Sequence, residues 1–196
     1  DVVDTTGWTV GHLYVADEAR THMIPTAVWT LVDPEAVRAF RTATEATPMP
    51  RGTGLPGRVM ASGRPAWIVD VTRDDNFPRA KLAEEIGVRA GFGFPVLVGR
   101  SVEAVLEFFA PEPAEPDEAM LEVMGHIGTQ LGRVVERMRA EAAIRASEAR
   151  NRLIVETADD AFVAIDAESR ILEWNRAAVR VFGWTRQEIL GQTLPA

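Results

Sequence analysis

The chain has 196 residues, 46% of them hydrophobic and 26% charged, enough for one large domain or one and a half small ones and too apolar for a disordered chain. A net charge of −8 counts against nucleic acid as a partner, because that affinity comes from neutralising phosphates. With zero cysteines, the chain has no disulfide, thiolate nucleophile or Cys-zinc site, and it fits a reducing compartment, so a cytoplasmic location is expected.

The longest runs free of Asp, Glu, Lys and Arg, such as Thr21 to Val32, fall short of the ~20 apolar residues of a membrane helix, and no basic leader precedes an apolar stretch. The first residue is not Met and the chain stops inside a recognisable pattern, so it reads as an excised fragment.

In chain order, Trp8 to Ala16 and Thr26 to Val32 are rich in aromatic and β-branched residues and are expected as strands. Asp33-Pro34-Glu35 then carries helix-start signals, with Val37, Phe40 and Thr44 on the inner face. Thr47 to Gly57 reads as loop, and Pro56 opens a short helix with Val59 and Met60 that Gly63 closes. Trp67, Val69 and Val71 alternate as a third strand. The polar turn Arg73-Asp74-Asp75-Asn76 precedes a short helix with Leu82, Ala83 and Ile86. Phe92, Phe94, Val96 and Val98 form a fourth strand, Gly99-Arg100 a hairpin turn, and Val102, Ala104, Leu106 and Phe108 a fifth. The order predicts an α+β fold, a mixed antiparallel sheet with flanking helices.

Glu118 to about Glu156 has helical composition, and Leu121, Met124, Gly128, Leu131, Val135, Met138 and Ala142 recur at the 3–4 spacing of a coiled-coil seam. At ~1.5 Å per residue this helix is about 60 Å long, too long for one small domain to cover. A homodimer through Leu121, Met124, Leu131, Val135 and Met138 is therefore expected. Beyond it, Phe162 to Ile165 and Ile171 to Trp174 read as short strands, Asn175 opens a helix, and Thr185 to Glu188 has the spacing of a capping box.

No nucleophile, metal or nucleotide motif stands out, so no catalytic residue is expected. The loop G-T-G-L-P-G lacks the Lys-Ser/Thr of a phosphate loop. Asp70, Asp74, Asp75 and Asn76 lack calcium-loop spacing and read as turn-capping groups, so no metal is expected. His12, His22 and His126 show no two-His ligand spacing.

Two resemblances follow. G-T-G-L-P-G-R-V-M-A-S-G-R-P-A-W-I from Gly52, D-V-T-R-D-D-N-F from Asp70 and the phenylalanine-rich hairpin from Gly91 to Phe109 resemble a GAF domain. W-N-R-A-A from Trp174, followed by F-G-W-T-R-Q-E-I-L-G, resembles the N-terminal half of a PAS domain. This divides the chain into a GAF-like domain (1–115), a connector helix (116–151) and a partial PAS domain (152–196).

The resemblance implies a sensory fragment of a bacterial signalling protein, a sensor histidine kinase or a diguanylate cyclase, with an output domain downstream. It also implies a small-molecule pocket between the sheet and its helices, lined by Trp67, Val69, Asp75, Phe77, Phe92 and Phe94. The cofactor is unknown; a covalent bilin is excluded for want of cysteine, and the family's cyclic-nucleotide motif is not found. The rival expectation is a ligand-free scaffold for dimerisation and spacing.

Overall fold

The computed structural model describes residues 7–193. They form two compact units, 1–137 and 138–196, and one long helix contributes to both. In the first unit, strands β1 (Val10–Ala16), β2 (His22–Leu31), β3 (Met49–Pro50), β4 (Ala66–Ile68), β5 (Ala90–Val98) and β6 (Ser101–Ala110) make one sheet in the order β3-β2-β1-β6-β5-β4. Every neighbouring pair is antiparallel. Helices α1 (Arg38–Glu45), α2 (Gly54–Ser62) and α3 (Ala80–Glu85) lie between strands in the chain, followed by α4 (Glu118–Thr157). This is the expected α+β class.

Several boundaries differ from the expectation. Asp33 Oδ1 does accept from the Glu35 and Ala36 amides, but residues 34–37 form turns and α1 begins only at Arg38. The Thr47–Gly57 loop contains β3, which pairs with His22 and Met23, so β2 starts earlier than Thr26. The third strand stops at Ile68; Val69 is more than a third exposed, and Asp70 turns the chain by accepting from the Thr72 amide and hydroxyl.

Both faces of the sheet are covered. On one, Val10, Tyr14, Val105 and Phe109 meet Phe40, Leu55, Val59 and Phe77 from the helical side. On the other, Trp8, Phe92, Phe94 and Phe108 pack with Trp67, Met120 and Met124. The cross-strand pair Phe92 and Phe108 stacks at 5.1 Å between ring centroids. In the β5–β6 hairpin the register steps from Val96↔Ala104 to Leu97↔Val102, leaving Glu103 as the extra residue of a bulge. That step turns Val102 to the helical face.

Helix α4 sits against β5 through two glycines. β4 pairs only with Gly91–Gly93, and Gly128 and Gly132 lie on the Pro95 and Leu97 carbonyls beyond that point. A Cβ at either glycine would overlap the carbonyl oxygen, so no other residue allows this approach.

In the second unit, β7 (Val163–Ile165) and β8 (Ile171–Trp174) form an antiparallel pair, followed by α5 (Arg176–Phe182) and α6 (Arg186–Ile189). Ile171, Trp174, Ala178 and Ile189 make its small core.

Candidate functional site

The space expected to hold a ligand, between the sheet and α1–α3, is filled by protein. His12 of β1 faces Glu107 of β6, and both side chains are fully buried. Just before α3, Arg79 reaches between the layers. Its Nη1 and Nη2 donate to Glu107 Oε1 and Oε2 at 2.9 and 2.8 Å, and Nη1 also donates to Thr44 Oγ1 at 2.9 Å. The guanidinium carbon lies 4.8 Å from the Phe40 ring centroid and 5.0 Å from that of Phe77. A bidentate pair with aromatic walls is the geometry in which a buried guanidinium is tolerated.

Burial pushes the Glu107 carboxyl up, but the Arg79 charge and the bonds from His12 and Arg79 outweigh it and hold it below the usual carboxylate range. Arg79 is held more basic than usual: burial opposes its charge, while Glu107 and Tyr14 favour it. Burial, then the Glu107 charge, raises Tyr14. His12 completes the cluster, with Nε2 2.9 Å from the Thr26 carbonyl and its ring stacked on Trp29 at 3.9 Å. Tyr14 Oη and Arg79 Nε are buried without a hydrogen-bond partner among the described residues.

The six residues expected to line one pocket are not brought together. Phe77 belongs to the helical face, whereas Trp67, Phe92 and Phe94 belong to the opposite face, against the start of α4. Trp67 Nε1 donates to the Ala114 carbonyl at 2.7 Å. Val69 and Asp75 are exposed. Alternation along β5 set the parity of Phe92 and Phe94 correctly, but not which side the helices cover.

The polar turn is a set of internal ties. Asp74 takes a two-pronged pair from Arg58, Asp70 meets Arg89, and Asn76 bridges the glycine loop, accepting from the Gly54 amide and donating to the Gly52 carbonyl.

The expected seam is divided between two faces of α4. Leu121, Met124 and Val135 are partly buried on the side that carries Gly128 and Gly132, and Met124 packs on the aromatic cluster. Leu131 and Met138 are exposed, and they share a second stripe with Val123, Ile127 and Val134. The spacing of Met124, Gly128 and Gly132 reflects packing on the chain's own sheet. Val123, Ile127, Leu131 and Val134 line a shallow groove of about 380 Å³ with His126 and Gln130.

In the second unit Asn175 caps α5, accepting from the Ala178 amide and also from the Phe162 amide, each at 2.9 Å. Its Nδ2 donates to the Val155 and Asp160 carbonyls at 2.9 Å. One buried side chain therefore ties β7, α5 and the last turns of α4. Glu188 accepts from the Thr185 amide and hydroxyl, closing the capping box.

An antiparallel six-stranded sheet with helices on one face and a long C-terminal helix on the other defines a GAF architecture. The chain belongs to the GAF domain family, whose model matches residues 1–136, and residues 149–196 match the PAS fold. None of the curated proteins matches the chain.

Among solved structures the chain is similar to the GAF domain of a phosphoenolpyruvate-protein phosphotransferase from Coxiella burnetii (15% identity, 72% of this chain and 80% of that one, TM-score 0.57). It is also similar to free methionine-R-sulfoxide reductase from Neisseria meningitidis (18%, 71% and 74%, TM-score 0.55). A third is a domain assigned to a two-component sensor histidine kinase protein of Sinorhizobium meliloti (18%, 74% and 89%, TM-score 0.54). At these identities the likeness is one of fold. GAF and PAS modules are regulatory, and the chain has a signalling, regulatory role. Among the described residues no helix is long and apolar enough to cross a membrane.

Proposed function

We propose that this chain is the sensing and relay segment of a cytoplasmic bacterial sensor histidine kinase, working as a homodimer with its output domain downstream and no catalysis of its own. The observation that carries this is the second apolar stripe of α4. One side of the helix is seated on its own sheet, yet Val123, Ile127, Leu131, Val134 and Met138 remain exposed at 3–4 spacing, Val134 by 55% and Met138 by 64%. Such a stripe is costly in water and fits a second copy of the same helix. A change in GAF packing then alters the pairing of two α4 helices and reaches the output domain.

Light scattering tests this: at ~100 μM, a concentration at which a specific helix-pair dimer is populated, the mass should be twice the 21.5 kDa of one chain. The I127E/V134E variant should be monomeric with an unchanged fold, and a monomeric parent chain overturns the reading.

A second reading has its own support. Phe40, Phe77, Arg79 and Phe109 occupy the space where the resemblance places a ligand. This favours a ligand-free scaffold as far as that space is concerned.

A further inference from the structure

Four segments converge at the tip of the β5–β6 hairpin: the β1–β2 turn, the residues after β3, the end of α2 and the hairpin itself. They enclose a cleft of about 290 Å³, away from the filled space between sheet and helices. Its lining holds three arginines, Arg20, Arg51 and Arg100, and two hydroxyls, Ser62 and Ser101, and the neighbouring carboxylate of Glu103 is engaged by Arg20. In a chain of net charge −8, this is a local reversal of sign.

Two of the arginines are held in place. Arg20 has a left-handed backbone, φ 55°; its Nη1 donates to the Val102 carbonyl at 3.0 Å and its Nη2 pairs with Glu103, the bulged residue of β6. The Arg51 amide donates to the Thr21 carbonyl at 2.8 Å, and its Nη2 donates to the Ala61 carbonyl at 3.1 Å. The second bond offsets the negative end of α2, which would otherwise repel an anion. Arg100 sits at the exposed hairpin tip beside Gly99. A guanidinium has five N–H donors, so the bonds to Val102, Glu103 and Ala61 leave donors on Arg20 and Arg51 for a ligand.

We propose that this cleft binds a small, multiply charged oxyanion of the phosphate-ester or pyrophosphate class. Arg20 and Arg51 form a fixed cradle, and Arg100 closes on it from the hairpin tip. Guanidinium forks match phosphate oxygens in geometry, and bringing three of them together is favourable once an anion is shared. The volume lies at the lower limit of small-molecule pockets, about 300 Å³, which suits one or two phosphoryl groups rather than a large ligand. The site does not depend on helix pairing.

The test is a titration of the ¹⁵N-labelled full chain with inorganic phosphate and with pyrophosphate, chloride holding ionic strength constant. Saturable shifts are expected at the Ser62, Gly63, Arg100 and Ser101 amides, with pyrophosphate binding more tightly. R100Q should weaken binding about tenfold through loss of one charged, two-pronged contact. R100Q is the informative variant because Arg51 also supports the end of α2. No saturation by ~10 mM, a weak limit for a specific site, overturns the proposal. So does an unchanged affinity in R100Q. Binding by a chain of monomeric mass supports this site while removing the pairing proposal, so the two fail separately.

Discussion

The two faces of the six-stranded sheet solve the same burial problem in opposite ways. The α4 face is apolar, with stacked phenylalanines and two glycines that let a helix backbone touch a strand. The α1–α3 face buries an Arg79–Glu107 pair with His12 and Thr44 inside its core. Apolar packing is non-directional and spreads its energy over many contacts. A buried ion pair concentrates the cost of failure in two residues, because either one alone is an uncompensated charge. One face should therefore tolerate change gradually and the other abruptly.

The largest effect should come from breaking the pair. Arg79→Leu leaves Glu107 buried with only His12 beside it and should cost about 3–5 kcal/mol of unfolding free energy, measured by urea denaturation of the full chain. R79L/E107L should recover much of that loss; additive damage would show that the pair has no special role.

Next is Gly132→Ala. Alanine in a helix interior ordinarily gains about 1 kcal/mol over glycine. Here its Cβ meets the Leu97 carbonyl, and a net loss of about 1–3 kcal/mol is expected, with α4 amides near residue 132 exchanging faster. A stabilised variant would mean the helix has another seat.

The pH response should also separate the faces. The folded pKa of Glu107 lies below its unfolded value, so the unfolded chain takes up the proton first. The contribution of Glu107 is full above the ordinary carboxylate value, about 4.3, and is lost as pH falls through the lower folded value. Urea midpoints followed downward from neutral pH should show this loss, reduced in R79L/E107L. The smallest effect is expected from Trp67→Phe, which deletes the bond to the Ala114 carbonyl on the apolar face and should cost about 1 kcal/mol in the same assay.

Much of the fold was legible because strand alternation and turn residues are local signals. β1, β5, β6 and the Gly99-Arg100 hairpin follow from them, as do Gly63 as the end of α2 and Asn175 as a cap. β3 was hidden because Pro50 and its neighbouring glycines read as loop, and its pairing with His22 is a tertiary fact.

The candidate pocket was less legible. Period-2 alternation sorts residues into two sets but does not say which helices cover which set, so Phe77 and Phe92 were grouped across the sheet. Arg79 gave no signal by itself. Glu107 did: a carboxylate set among Val105, Leu106, Phe108 and Phe109 in a strand buried on both faces requires a cation, and Arg79 supplies it. The α4 seam was legible as apolar spacing but not as two stripes, because periodicity marks buried positions without naming what buries them.

The glycines of α4 have a mechanical consequence. A slip of one residue along β5 would drive Thr129 and Arg133 into the Pro95 and Leu97 carbonyls, where no Cβ fits. A slip of about one helical turn does no better: four residues bring Gly128 to the Leu97 carbonyl but Met124 to that of Pro95, and three bring Gly125 to Pro95 but Thr129 to Leu97. The helix is thus keyed to the strand in one register, like a key whose two cuts match a single pair of wards.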